Sequence, residues 1–171
     1  MNYFELYDIP VGFDIDKVLL RSKFLELSKR YHPDHHTLSD EDQQLEMLDR
    51  SSHNNKAFQT LSHEMSRIRH VLDIKGVIKD ENDEKMSPDF LMEMMDLNEM
   101  LMEYEMNESD MGIKEEALKK IAEVGDTLRS EVASILALPD ITDISMSDLE
   151  QVKAFYFKSK YINRLKEKLQ A

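Results

Sequence analysis

A helical stripe that ends at a proline is the feature that most constrains how this chain folds. Apolar residues recur at steps of four, three and four, which places them on one helix face: Leu20, Phe24, Leu27 and Tyr31. Pro33 has no N–H and disfavours helical geometry in the residue before it, so the helix is expected to end at His32. Residues 31–36 are therefore expected to form a short polar loop between two helices.

The loop sequence leaves three roles open: a connector, a metal site, or a contact point for another protein. His32, His35 and His36, together with Asp34, are residue types that bind zinc. However, ligands so close in sequence cannot easily surround one ion without a further ligand from elsewhere, and Pro33 stiffens the backbone between them. We therefore expect no metal here.

Composition excludes several classes of function. The formal net charge of -13 opposes nucleic-acid binding, which needs a basic surface. The chain has no cysteine, and therefore no disulfide, thiolate ligand or cysteine nucleophile. It also lacks a glycine-rich phosphate loop, an HExxH motif and carboxylate pairs in a setting that would shift their pKa. We expect a protein that is not an enzyme and has no cofactor.

The N-terminal residues and the overall hydropathy predict the cellular location. Residues 1–6 begin an amphipathic turn, without a basic leader or an apolar signal core. No stretch is long and apolar enough to span a membrane. We expect a soluble, cytoplasmic protein with no membrane partner.

Helical periodicity continues through the first 74 residues, and only four glycines and four prolines interrupt the whole chain. Gly76 offers a C-terminal stop for this module. The apolar positions of the third helix include Leu45, Leu48, Ala57, Phe58 and Leu61. The predicted helices cover about 2–8, Asp14 or Asp16 to Tyr31, a third helix capped by Ser39 or Asp40, and about 64–74.

The second predicted helix carries basic residues on the side away from its apolar stripe, although the protein is acidic. Lys23, Lys29 and Arg30 lie on that side, and only Glu26 breaks their sign; Lys17 and Arg21 are the other basic residues of this helix. Exposed lysines are common, so a solvated helix face is one interpretation. Because the basic residues lie next to the loop, a contact surface for a partner is the other.

These features together resemble the J-domain of DnaJ-type co-chaperones over residues 1–74. They are a short first helix, a partly basic second helix that ends in Tyr-His-Pro-Asp, and a third helix that carries Asn55-Lys56-Ala57-Phe58-Gln59-Thr60-Leu61. The resemblance implies that the loop and the second helix contact the ATPase of a DnaK-class chaperone. It also implies that the His-Pro-Asp tripeptide is required to stimulate ATP hydrolysis. The implied contact residues are His32, Pro33, Asp34, Arg21, Lys23, Lys29 and Arg30.

Residues 75–87 are expected to form a linker, after which Ser87 and Pro88 begin a new helix to about residue 107. One face of this helix is an ordinary core stripe of Phe90, Met94, Leu97, Leu101 and Tyr104. The opposite face carries methionine and acidic residues: Met92, Met95, Met106, Asp96, Glu99 and Glu103, with Leu91 and Met102 at the margin. Either further helices cover this second face, or it is an adaptable binding patch for a partner.

Two more helices complete the second module, residues 88–171. One covers about 113–136 and ends before Pro139, and the last is capped by Ser145 with Asp148 or by Ser147 with Glu150. Three helices with short connections predict an antiparallel bundle and an all-α chain. Phe157 points away from the core stripe of the last helix, so we interpret it as a secondary contact or as part of an interaction surface.

The arrangement as a whole resembles the HscB-type co-chaperones of iron–sulfur cluster assembly. An N-terminal J-domain is followed, without a Gly/Phe-rich linker or zinc cysteines, by a small acidic bundle that opens with Phe90-Leu91-Met92-Glu93. The resemblance implies that the bundle binds an IscU-type scaffold and delivers it to the DnaK-class chaperone HscA. A J-domain adaptor that delivers another client to a general DnaK is the alternative. The implied scaffold-binding residues are Leu91, Met92, Met95, Asp96, Glu99, Glu103 and Phe157.

Overall fold

The computed structural model describes residues 2–32, 34, 40–78, 86–107 and 110–170, and every regular element in them is a helix. This confirms the predicted all-α class. The chain divides into two compact units, which are described separately below. The first unit contains Met1–Gly76 and Ala137–Ile144, and the second contains Val77–Leu136 and Ser145–Ala171.

The first unit holds four helices: α1 (Tyr3–Leu6), α2 (Lys17–Arg30), α3 (Glu41–Ser62) and α4 (Glu64–Ile74). The side chain of Asp16 caps α2 by accepting the backbone N–H groups of Val18 and Leu19. Asp40 caps α3 in the same way through the N–H of Gln43. Of the predicted cap alternatives, Asp16 and Asp40 are therefore the ones used, and Ser39 lies outside the described residues.

Helices α2 and α3 pack as a hairpin through the predicted apolar stripe. The rings of Phe24 and Phe58 stack with their centroids 4.2 Å apart, and Leu20 and Tyr31 are buried. The second half of α3 supplies the core, where Ala57 and Leu61 are fully buried. Leu45 and Leu48, in the first half of α3, are instead exposed.

Asn54 connects the two hairpin helices to the end of α1. Its amide nitrogen donates to the backbone oxygen of Phe24 at 3.2 Å and to the hydroxyl of Ser28 at 3.0 Å. The hydroxyl of Tyr7 lies 2.8 Å from the amide oxygen of Asn54. Because Asn54 and Tyr7 are both buried, losing either partner would leave a polar group unsatisfied.

A buried arginine on α4 fixes this helix to the loop before α2. The Nε of Arg67 donates to the backbone oxygen of Phe13 at 2.8 Å, and its Nη1 donates to the backbone oxygen of Leu61. Burial lowers the pKa of Arg67, and the charges of Glu64 and Asp14 oppose this shift. The guanidinium thus satisfies backbone groups that helix hydrogen bonds do not reach.

The segment Ala137–Ile144, which the sequence analysis assigned to the bundle, lies in the first compact unit. The N–H of Ile141 donates to the oxygen of Val11 at 2.9 Å. The N–H groups of Phe13 and Asp14 donate to the oxygen of Leu138 at 3.1 and 3.2 Å. These backbone pairs explain why the segment leaves the bundle.

The second unit is a three-helix bundle of α5 (Pro88–Met106), α6 (Met111–Leu136) and α7 (Met146–Gln170). Ser87 caps α5, with Pro88 in its first turn, as predicted. For α7, the hydroxyl of Ser145 accepts the N–H of Asp148, so Ser145, from the first of the two predicted capping boxes, caps this helix. Val77 and Ile78, in the predicted linker, are buried in this unit, and residues 79–85 lie outside the described residues.

The expectation that Phe157 lies off the core is wrong. Its side chain is only 4 % exposed, and its ring meets that of Tyr156 edge-on at 5.3 Å. Helix α7 packs against both α5 and α6, so more than one side of it is covered. A single core stripe therefore underestimates how much of α7 is buried. The predicted core residues Val152, Phe155, Ile162 and Leu169 are buried as expected.

Replacement of Gly12 by alanine tests the backbone pairing of 137–144. A Cβ at Gly12 would lie 2.2 Å from the oxygen of Pro139, so the paired segments must separate. We expect the free energy of unfolding to fall by about 1–3 kcal/mol, as in other overpacked sites. Gly125→Ala in α6 is the matched control: nothing lies within 4 Å of its Cβ, and we expect a gain of about 0.5–1 kcal/mol. If both changes had the same effect on the free energy of unfolding in urea, the close approach of residue 12 to Pro139 would be contradicted.

The stability of the chain should also depend on His70. Its Nε2 accepts the N–H of Tyr3 at 3.1 Å, and burial lowers the pKa of the imidazole below its usual value of about 6.5. The unfolded chain therefore binds this proton at a higher pH than the folded chain does. The contribution of neutral His70 to the free energy of unfolding is fully present above about pH 6.5. It is lost as the pH falls through the pKa that His70 has in the folded chain.

Urea unfolding of wild type and His70→Gln between pH 5 and pH 8 measures this contribution. An amide oxygen can accept the Tyr3 N–H without titrating, so the variant should lose less stability than wild type below about pH 6.5. Parallel pH profiles for the two proteins would show that His70 does not contribute in this way.

Candidate functional sites

The polar loop after α2 presents a histidine and an aspartate to solvent. Asp34 donates its backbone N–H to Nδ1 of His32 at 3.2 Å, and its carboxylate lies 3.6 Å from the same nitrogen. The two side chains are 54 % and 84 % exposed. Both polar side chains are therefore accessible from solvent. Pro33, His35 and His36 lie outside the described residues.

Tyr31, directly before the loop, fixes where the loop begins. It is buried, and its backbone N–H donates to the oxygen of Leu27 at 2.9 Å. The guanidinium of Arg50 on α3 lies over the Tyr31 ring, 5.8 Å from its centroid, and also bonds Glu46 at 2.6 Å. The ring thus joins the end of α2 to α3, so His32 projects from a rigid base.

The outer face of α2 is mixed rather than uniformly basic. Arg21, Lys29 and Arg30 are exposed, as the sequence predicted, and Lys23 is half-buried. Val18 and Leu25 are also exposed on this helix. The face therefore offers a partner both positive charge and apolar surface.

Helix α5 has one buried face and one exposed face, as the helical projection predicted. Phe90, Met94, Leu97 and Leu101 are buried in the bundle. The opposite side is not covered by another helix in the part of the chain that the structure describes. Its apolar residues are Leu91, Met92, Met95, Met102 and Met106, and its acidic residues are Asp96, Glu99 and Glu103; we call this set the methionine face.

The charges of the methionine face oppose helix stability. Helix α5 contains six carboxylates and no basic residue. Glu99 and Glu103 are four residues apart, where like charges repel. Glu103 and Glu105 also lie near the negative end of the helix dipole, where cations would be preferred. The distribution therefore lowers the stability of the helix and concentrates negative charge on it.

A groove of about 380 Å³ runs along the edge of the methionine face, between α5 and α6. Buried Leu97 and half-buried Val124 form its apolar part. Its charged lining is mainly acidic, so the groove extends the negative surface onto α6. The residues that line it are Glu93, Asp96, Leu97, Lys120, Glu123, Val124 and Thr127.

Comparison with known proteins identifies the family. The family model for the HSCB C-terminal oligomerisation domain matches residues 86–170. The Co-chaperone protein HscB homolog of Shewanella baltica is 30% identical over 166 residues, which are 96% of this chain and 95% of that protein. The chain belongs to the HscB family.

A solved structure of an HscB protein supports the fold of both units. Chaperone HscB from Vibrio cholerae aligns with a TM-score of 0.80 and 28% identity, covering 99% of this chain and 96% of that chain. The HscB homolog of Vibrio parahaemolyticus is 41% identical, but over only 102 residues, about 60% of that protein's length. The fold of a J-domain followed by a helical bundle is thereby confirmed.

Among the described residues, no group of three or more His, Cys, Asp or Glu side chains is placed to hold a metal ion. Among the same residues, no helix is both long and apolar enough to cross a membrane.

The predicted scaffold-binding residues share one face of α5, with Phe157 as the exception. All six predicted residues on α5 lie on the methionine face, whereas Phe157 is in the core of the bundle. The α6 side of the groove was missed, because it arises from the packing of two helices and no pattern within one helix reveals it. Met102 and Met106 were noted in the sequence, and their exposure of 60% and 85% makes them full members of the face.

Proposed function

We propose that this HscB-family chain is a co-chaperone that brings an IscU-type iron–sulfur scaffold to a DnaK-class, HscA-like ATPase and stimulates ATP hydrolysis by that chaperone. The observation that carries the proposal is the methionine face of α5, which is exposed, acidic and opposite the bundle core. Its chemistry suits a basic protein partner that also has an apolar surface.

The loop of the first unit supports the chaperone half of the proposal. His32 and Asp34 are exposed and held by Tyr31, and the basic residues of α2 precede them directly. Positive charge there would attract an acidic surface on the ATPase and speed encounter. The loop would then make the specific contact, with His32, Pro33 and Asp34 as the residues required to stimulate ATP hydrolysis.

The methionine face supports the scaffold half. Methionine side chains are flexible and polarisable, so they adapt to the shape of a partner. Burying them supplies most of the free energy of binding, whereas the carboxylates at Asp96, Glu99 and Glu103 speed encounter and select a basic partner. Phe157 would act by packing α7 within the bundle, because it is too buried to touch the scaffold directly.

Two binding surfaces on one chain would let it accelerate a reaction that another protein catalyses. When the scaffold is bound to the chain, its effective concentration near a chaperone bound to the same chain rises. The reaction itself, ATP hydrolysis, belongs to the chaperone. The chain contributes contacts and tethering.

Replacement of His32 by glutamine tests the chaperone half. The exposed side chain does not support the core, so the variant should fold as wild type does. We expect it to lose most of the stimulation of steady-state ATP turnover by the purified HscA-like chaperone. His63→Gln, which changes another exposed histidine of the first unit, is the control and should stimulate normally. Equal stimulation by His32→Gln and wild type would refute this half.

The double change Met92→Ala/Met95→Ala tests the scaffold half. Both side chains are more than half exposed, so the free energy of unfolding should change little. We expect the Kd for the purified IscU-type scaffold to rise at least about tenfold, from the loss of central apolar contacts. Met111→Ala/Met146→Ala removes two exposed methionines outside α5 and should bind as wild type does. Undiminished affinity of the α5 variant in calorimetric titration would remove the methionine face from the proposal.

A further inference from the structure

The methionine face is chemically unusual because thioether groups of methionine are concentrated in solvent there. Met92, Met95, Met102 and Met106 are between 60 and 85% exposed, whereas Met94 on the same helix is 1% exposed. The chain has no cysteine, so no thiol within it competes for an oxidant. The exposed thioethers are therefore the groups that a mild two-electron oxidant reaches first.

We propose that the methionine face is a reversible oxidation site, and that peroxide prevents scaffold binding by converting Met92, Met95, Met102 and Met106 of the unbound chain to methionine sulfoxide. This inference rests on the proposed function, because it assigns a regulation to the same surface. It adds a chemical signal, hydrogen peroxide or another hydroperoxide, that would control when the chain carries its cargo.

The reaction balances with peroxide as the only oxidant. A lone pair on the methionine sulfur attacks one peroxide oxygen, a sulfur–oxygen bond forms and the oxygen–oxygen bond breaks. The departing hydroxide takes up the remaining proton to give water. Sulfur loses two electrons and the peroxide gains them. Two thiols, through a methionine sulfoxide reductase, reverse the step and yield the thioether, a disulfide and water.

The position of the four methionines determines what oxidation changes. A sulfoxide is polar, so burying it against an apolar surface of the scaffold becomes unfavourable. It carries no charge, and Asp96, Glu99 and Glu103 are unaltered, so electrostatic steering of the scaffold persists. Oxidation should therefore raise the dissociation rate and leave the association rate nearly unchanged.

The position of the four methionines also keeps their oxidation from disturbing the core of the bundle. The core face of α5 holds the buried Met94, whose sulfur solvent does not reach. The four oxidised side chains lie on the side of the helix that no described helix covers. The bundle should thus keep its helical content and stability while it loses affinity, which separates this mechanism from oxidative unfolding.

The test treats the full-length chain alone with hydrogen peroxide, removes the peroxide, and then adds the purified IscU-type scaffold. Peptide mass spectrometry should show Met92, Met95, Met102 and Met106 oxidised well before Met94. Surface plasmon resonance should show a Kd at least about tenfold higher, mainly through faster dissociation. The loss of even one methionine contact is enough for a change of this size. Two methionine sulfoxide reductases, one for each sulfoxide epimer, together with dithiothreitol should restore the original Kd.

Matched variants connect the effect to the face. In the chain with all four methionines changed to leucine, the ratio of Kd after and before peroxide should be close to one, whatever its starting affinity. The variant Met111→Leu/Met146→Leu should keep the full response to peroxide, because those exposed methionines lie outside α5.

Each failure points to one cause. If the untreated chain does not bind the scaffold, the proposed function is wrong. If the untreated chain binds and the four sulfoxides form without changing the Kd, the oxidation switch is wrong. Oxidation of Met94 at the same rate as the four, or loss of helical circular dichroism together with affinity, would also overturn it, because the effect would then be unfolding.

Discussion

The burial of one side of α5 is the constraint on which the rest of this structure depends. Phe90, Met94, Leu97 and Leu101 must face the bundle, and the geometry of a helix then places the residues between them on the opposite side. Ordinary folding would place lysines and glutamates in pairs on that side. The chain instead places methionines and acidic residues there. The composition of this exposed face is therefore costly for helix stability.

Features that depend on local spacing were predictable from the sequence, whereas features that depend on distant residues were not. The caps Asp16, Ser87 and Ser145 and the exposed face of α5 follow from patterns within single helices. Asn54 and the pairing of 137–144 depend on contacts between segments far apart in the chain, which no periodicity shows. Phe157 was misplaced for a related reason, since α7 has two neighbours and so buries more than one face.

The two candidate surfaces differ in how they are built, which fits different roles. The loop at His32 and Asp34 is a small polar element held by Tyr31 and Arg50, and such elements suit a brief, specific contact. The methionine face combines flexible apolar side chains with carboxylates, and in the proposed function it would retain the cargo. Under the proposed function, the chain needs both a fast contact with an ATPase and a longer-lived contact with a client.

The central claim is that both surfaces must act from one chain. The most direct test mixes two full-length variants, His32→Gln and Met92→Ala/Met95→Ala, and measures the additional ATP turnover by the HscA-like chaperone when limiting IscU-type scaffold is added. Each variant keeps one surface. If tethering is the mechanism, the mixture should show far less scaffold-dependent turnover than the same amount of wild type. If the mixture showed the same scaffold-dependent ATP turnover as wild type, tethering by one chain would be contradicted.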